Sequence, residues 1–313
     1  MATEGNPGGP VDPSTPVGEP RATPEEVQAA ALTALTLTYS APMPGCGSRY
    51  ADRGVAHESR MLSVAPLVST LVQADARAVG ETVLWAVSTV RRMTGGADLW
   101  SAALLAPLAR HVLSGLRLEL TLARLTHPDA LNFAQALEVA RNGGRLASQP
   151  AGVLAGALEV SLGAGRDATL RDAMRFAAAR DALAREYARN YEVTRELAYP
   201  ALMNALMHAE TPRGALAQAY LEVLAEVPDL DIASRAGQRE AEEVSRMANG
   251  VVKAGGAHNR RGLQQLSNLD GLLRSDSRLH PSATELPVLA ATFLIALDHG
   301  PEFLSYRLRP AGG

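Results

Sequence analysis

The sequence predicts an all-α protein, a single-domain bundle of about ten to twelve helices. Three observations predict it. Apolar residues recur at helical spacing from about residue 24 to 298, and no segment alternates apolar with polar residues in the manner of a half-buried strand. Aromatics make up only 4% of a chain that is 47% apolar, so the core must be Ala, Leu and Val, which suits close-packed helices better than a sheet.

Each element has a local reason. Residues 1–22 are rich in Pro and Gly and are expected to be disordered; they lack the basic start and apolar core of a secretory signal. Thr23-Pro24-Glu25-Glu26 combines an N-cap, proline at the first helical position and Glu three residues after the cap, so a helix starts there and runs to about Tyr39. A loop, APMPGCGSRYADRG, follows over 41–54. It gathers Arg49, Tyr50, Asp52 and Arg53 on a Gly and Pro frame, which a mere connector does not need. Helical spacing resumes over about 57–73, 76–92, 99–114 and 115–125. Pro128-Asp129 starts a helix that stops at Asn142-Gly143-Gly144, and 151–162 gives a short apolar one. Thr169 opens a long polar helix that Pro200 kinks or breaks. Helices over 213–226, 232–254, 260–274 and 284–298 complete the domain over 23–300, and 301–313 reads as a C-terminal tail.

Composition excludes several classes. A net charge of −3 offers no basic field for nucleic acid, and no run approaches about 18 uninterrupted apolar residues, so neither a nucleic-acid nor a membrane partner is expected and the chain is expected in the cytoplasm. Lys253 is the single lysine, which removes a P-loop or Schiff-base lysine and leaves anion binding to Arg. Cys46 is the single cysteine, so no internal disulfide forms. The histidines show no HExxH and no i, i+4 pair, and GxSxG, GxGxxG after a strand and GxxxxGK[ST] are missing. The alanine-rich helices could associate into a homo-oligomer as readily as pack internally.

Arg180, Asp181, Arg185, Glu186, Arg189, Asn190, Glu192 and Arg195 crowd one expected helix. Ion pairs on a solvated face account for them, and so does an inward stripe that binds phosphates and Mg2+; spacing alone leaves both open.

Several stretches together resemble the triphosphoribosyl-dephospho-CoA synthase family, in its archaeal and methylotroph-like branch. They are Pro44-Gly45-Cys46-Gly47-Ser48-Arg49-Tyr50-Ala51-Asp52 after the first helix, RDALAREYARNYEVT at 180–194, ARNGGRLA at 140–147, DLDIASRAGQREAEEVS followed by AGG, and HPSATELPVLAATFLIAL before the end. Their order holds from about residue 24 to 298. The resemblance implies an all-α enzyme that displaces adenine from ATP and passes the 5-triphosphoribosyl group to a hydroxyl of dephospho-CoA or of a different acceptor. It further implies ATP as substrate and Mg2+ as cofactor. By resemblance Arg49, Arg180 and Arg185 contact phosphate, Tyr50, Arg235 and Asp98 join them in substrate binding, and Asp52, Asp181 and Glu186 serve as metal ligands or base, with Asp52 and Asp181 on the metal. The loop is expected to face the helix around Asp181.

The chain also departs from the family. In TGGADLWSAALLAPLA the family's amide-bearing centre is replaced by Ala97, Asp98, Leu99 and Trp100, and Ser282, Ala283 and Glu285 stand where Gly, Thr and Asp are expected. Trp100 could stack on a base or serve as a core or interface residue. A changed acceptor, a catalytically inactive nucleotide- or partner-binding relative, and a purely structural scaffold are the alternatives.

Overall fold

A computed structural model describes residues 21–53, 55–142, 152–165, 167–208 and 211–305, and within these every regular element is helical. The helices are α1 (Pro24–Ser40), α2 (His57–Leu71), α3 (Val79–Thr94), α4 (Leu99–Ser114), α5 (Leu118–Ala123), α6 (His127–Arg141), α7 (Gly152–Gly163), α8 (Leu170–Ala177), α9 (Ala182–Ala188), α10 (Tyr199–His208), α11 (Pro212–Glu226), α12 (Leu230–Ala236), α13 (Gln238–Lys253), α14 (Arg260–Ser275), α15 (Ser282–His299) and α16 (Pro301–Ser305). Residues 1–20 and 306–313 and most of ARNGGRLA lie outside the described residues. Residues 301–305, expected within a tail, form α16.

The predicted start of α1 is a full capping box: the Thr23 hydroxyl accepts from the N–H of Glu26, and the Glu26 carboxylate accepts from the N–H of Thr23 at 2.7 Å. The α1 face of Val27, Ala30, Ala31, Ala34 and Leu35 is fully buried, and α1 packs on α15 and α2. Each fully buried Leu or Val contributes roughly 1.5–3 kcal/mol of transfer free energy. The stretch Ser277–His299 is long and apolar enough to cross a bilayer, but 83% of its apolar 18-residue span is buried inside the fold, which makes α15 a core helix. Backbones approach closely where α3 meets α6: a Cβ on Gly80 would lie 2.3 Å from the carbonyl oxygen of Asp129, so only glycine fits there.

Two expected helices are each broken, which raises the helix count. The polar helix expected from Thr169 stops at Ala177, because Asp181 takes an extended conformation (φ −136°, ψ 127°) and caps a new helix by accepting from the N–H of Ala184 at 2.8 Å. It breaks again at Asn190 and Tyr191, both left-handed at φ 54° and 59°. A π turn over Thr194–Ala198 then leads into α10, so that Pro200, with no N–H to give, follows directly on a register shift. The helix expected over 232–254 is divided at Gly237, whose φ of 113° ends α12 and starts α13.

The strain at Tyr191 has a structural counterpart. Pro107 inside α4 has no N–H for the carbonyl of Ala103, and the Tyr187 hydroxyl donates to that carbonyl at 2.5 Å. Tyr191 donates to the next carbonyl, that of Leu104, at 2.6 Å. The proline in one helix thus frees one of the two acceptors on which the broken segment docks.

Candidate functional site

The 41–56 loop is clamped before it can present anything. Gly45 sits at φ +74°, and a Cβ there would approach Leu273 Cβ and Pro281 Cδ to 2.9 Å. Its N–H donates to Asp270 Oδ1 at 2.8 Å, Arg274 Nη2 donates to the Cys46 carbonyl at 2.6 Å, and Arg53 donates to the carbonyls of Leu273 at 2.9 Å and Asp276 at 3.1 Å. The buried Cys46 thiol donates to Tyr220 Oη at 3.3 Å, and burial pushes its pKa far above the usual thiol range, so it is an inert packing residue.

Clamped this way, the loop turns Gly47, Arg53 and Val55 toward a cavity of about 310 Å³. The rest of its wall is Tyr39 of α1, Arg60 of α2, Ala97 to Ser101 at the start of α4, Leu137, Ala140 and Arg141 of α6, Gly152, His280, and Glu285, Leu286 and Leu289 of α15. Arg60 holds three parts together. It pairs with Glu285, lies over the Tyr39 ring at 3.9 Å, and donates to the Gly47 carbonyl at 3.3 Å. Burial works most strongly against its charge, but Glu285, Tyr39 and Asp98 together outweigh it and keep the guanidinium firmly protonated. Asp98 caps α4 by accepting from the N–H of Ser101 at 3.3 Å, and its other oxygen accepts from Tyr39 Oη and from Ser63 Oγ at 3.3 Å. The His280 imidazole is pushed down to about 3 by burial and by the charges of Arg53, Arg235, Arg60 and Arg274, so it is neutral at any physiological pH.

Next to this chamber, behind Trp100 and Leu286, which line both spaces, is a niche of about 10 Å³ walled by Asp181 and Asp231. Its carboxylates are in a different state. Burial raises Asp181 to about 6. Burial first, then the charge of Asp229, raise Asp231 to about 7, although Ser282 Oγ donates to it and Arg235 is near. Asp229 itself is fully committed: it accepts from the N–H groups of Asp231 and Ile232 at 2.9 and 3.0 Å and from the N–H and hydroxyl of Thr284 at 2.8 and 2.7 Å, pinning α12 to α15.

The residues singled out by sequence fall into three groups. Asp98 lines the chamber and Asp181 the niche, while Arg235 stands behind both, donating to the carbonyls of His280 and Arg278. Arg185 is partly buried, lying near the charges of Glu186 and Asp229, with its Nε unpartnered; Glu186 is fully buried and accepts from the N–H and hydroxyl of Thr194 at 3.2 and 2.6 Å. Arg49, Tyr50, Asp52 and Arg180 are exposed and line neither space. The tight turn Ser48–Ala51, closed by N–H to carbonyl bonds of 2.9 and 3.3 Å, carries Arg49 and Tyr50 outward, where Arg49 and Arg213 flank the Tyr50 ring. Asp52 accepts the N–H of His57 and so caps α2.

Tyr39, Arg60, His280 and Asp231 were not singled out. Tyr39 and His280 carry no spacing signal, being lone residues in helical or loop contexts. The PDLD run before α12 was a signal, as was a carboxylate inside the apolar SATELPVLAATFLIAL, since a charge in such a run is buried only when paired.

Among protein families, residues 24–299 match CitG, described as ATP:dephospho-CoA triphosphoribosyl transferase. Among solved structures, one from Archaeoglobus fulgidus, assigned as a triphosphoribosyl-dephospho-CoA synthase, superposes with a TM-score of 0.55 at 19% identity, covering 78% of this chain and 98% of that one. At that identity the likeness speaks for the fold. No curated protein matches the chain. Because the family match spans nearly the whole helical domain, the chain belongs to the CitG family and is an enzyme that transfers the triphosphoribosyl group of ATP to dephospho-CoA.

Proposed function

We propose that the chamber and the niche behind Trp100 form one transfer site, with the triphosphate on the cationic side of the chamber and the acceptor hydroxyl at the niche. One observation carries the reading: family-like segments far apart in sequence, at 47–55, 181–183, 231 and 280–289, and the diverged segment 97–101 all contribute to two adjoining spaces that share a wall. Arg53, Arg60 and Arg141 are the guanidinium groups in reach of a polyphosphate, and Arg is suited to that by its planar fork.

The donor set at the niche fits Mg2+ carried by nucleotide. Among the described residues no cluster of three or more His, Cys, Asp or Glu could hold a metal. Asp181 offers one carboxylate there, and Mg2+ is commonly bound by one or two carboxylates with substrate phosphates and water supplying the rest. Bound there, it would neutralise phosphate charge.

The chain's own groups account for the transfer. The C1′–N9 bond of ATP breaks and its electron pair leaves with adenine, which takes a proton from water. Positive charge builds on the ribose, where the Asp98 and Glu285 carboxylates supply negative potential. The acceptor oxygen attacks C1′, and its proton passes to the Asp231 carboxylate, a base whose pKa of about 7 matches the task. A cytoplasmic location follows from the need for ATP. Family membership favours this over the inactive relative.

Incubation of the protein with ATP, Mg2+ and dephospho-CoA should release one adenine for each dephospho-CoA consumed, read by chromatography. Wild-type protein that yields no adenine would overturn the assignment of this site.

A further inference from the structure

The chamber wall combines the charged or polar Arg53, Arg60, Arg141 and His280 with the apolar Trp100, Leu137 and Leu286. Of the two large aromatic rings in the wall, Tyr39 is covered by the Arg60 guanidinium at 3.9 Å and its hydroxyl is held by Asp98 and Ser101. Trp100 is half-buried and, among the described residues, has no ring or cation partner of its own. It is two residues after the Asp98 cap, so the first turn of α4 fixes its backbone, and it lines both the chamber and the carboxylate niche. A ligand with a charged chain at one end and a flat heteroaromatic base at the other has one place for the base.

We propose that the indole of Trp100 is the face on which the nucleobase of the donor stacks, and that it sets the preference of the enzyme for a purine over a pyrimidine nucleotide. This rests on the site assigned above. Stacking strength depends on ring area, so a two-ring base gains more from an indole than a one-ring base does. Stacked there, the base leaves the ribose beside Asp98 and the niche.

The chain has two tryptophans, and the other, Trp85, is on α3 outside the chamber, beneath Arg77 at 4.0 Å. In Trp85→Phe the remaining emission therefore reports Trp100 alone. Titration with ATP should quench it, whereas inorganic tripolyphosphate should leave it unchanged. In turnover, Trp100→Ala should raise the KM for ATP about tenfold with a smaller change in kcat and bring the ATP to CTP preference close to one, while Trp100→Phe should keep most of the wild-type KM. Emission unmoved by saturating ATP, or a Trp100→Ala enzyme with the wild-type KM and purine preference, would overturn the inference. Quenching in a wild-type protein that releases no adenine would uphold the stacking and overturn the transfer site instead.

Discussion

The chamber and the niche each hold two carboxylates, and they use them in opposite ways. In the chamber, Asp98 is tied by Ser101, Tyr39 and Ser63, and Glu285 is paired with Arg60. In the niche, Asp181 and Asp231 have fewer partners; burial lifts Asp181 to about 6, and burial followed by the charge of Asp229 lifts Asp231 to about 7. A paired buried carboxylate is a fixed charge that organises its neighbours. An under-partnered one is poised to exchange a proton or meet a cation.

The sharpest way to break this contrast is Asp231→Asn, which removes the proton acceptor while keeping shape. We expect kcat to fall by about 10²–10⁴-fold with no loss of thermal stability, because a repulsion is relieved. Wild-type turnover in that variant would return the niche to a structural role. Next in size is Arg60→Met, which leaves Glu285 buried without its cation; denaturant unfolding should show a loss of about 3–5 kcal/mol, and Arg60→Met with Glu285→Gln should recover part of it. A loss under about 1 kcal/mol would mean that the chamber pair is not the brace described here.

A smaller effect separates the two regions by pH. An Asp raised in the folded chain holds its proton more tightly than in the unfolded chain, where it releases it near pH ~3.9. Between about pH 4 and the folded values of about 6 and 7, the native state therefore carries more protons, and stability declines as pH rises. Melting temperature should be higher at pH 5 than at pH 8 in wild type, and Mg2+ with ATP should raise it more at pH 8. Asp181→Asn should flatten both responses; a profile rising toward pH 8 would contradict the raised values. The smallest expected effect is at the loop tip. Arg49→Ala should change stability by no more than about 0.5 kcal/mol, and a several-fold rise in the KM for ATP would bring the exposed turn into the site.

The fold was largely legible because its signals are local. The capping box at Thr23, the stop at Gly95 in left-handed conformation and the Gly115 stop all depend on residues within one turn. The long polar helix failed for the complementary reason: Asp181 is as good a cap as it is a helix-surface residue, and Tyr191 is left-handed where its hydroxyl reaches the Leu104 carbonyl of α4, 87 positions away. No window around residue 190 contains that fact. The site was legible where residues travel in runs, as at Asp98 and Asp181. It was not where one side chain such as Arg60 acquires its meaning from Tyr39, Gly47 and Glu285 together.

That three-way hold on Arg60 has a temporal consequence. Tyr39 and Gly47 leave the ribosome early, whereas Glu285 and the rest of α15 are made nearly last, so a nascent chain holds the loop and the first two helices without the wall that closes the chamber. Until synthesis finishes, the part of the apolar side of α1 that packs on α15 stays uncovered. A message cut short before codon 282 would therefore yield a sticky fragment in search of a chaperone, and never a weakened enzyme.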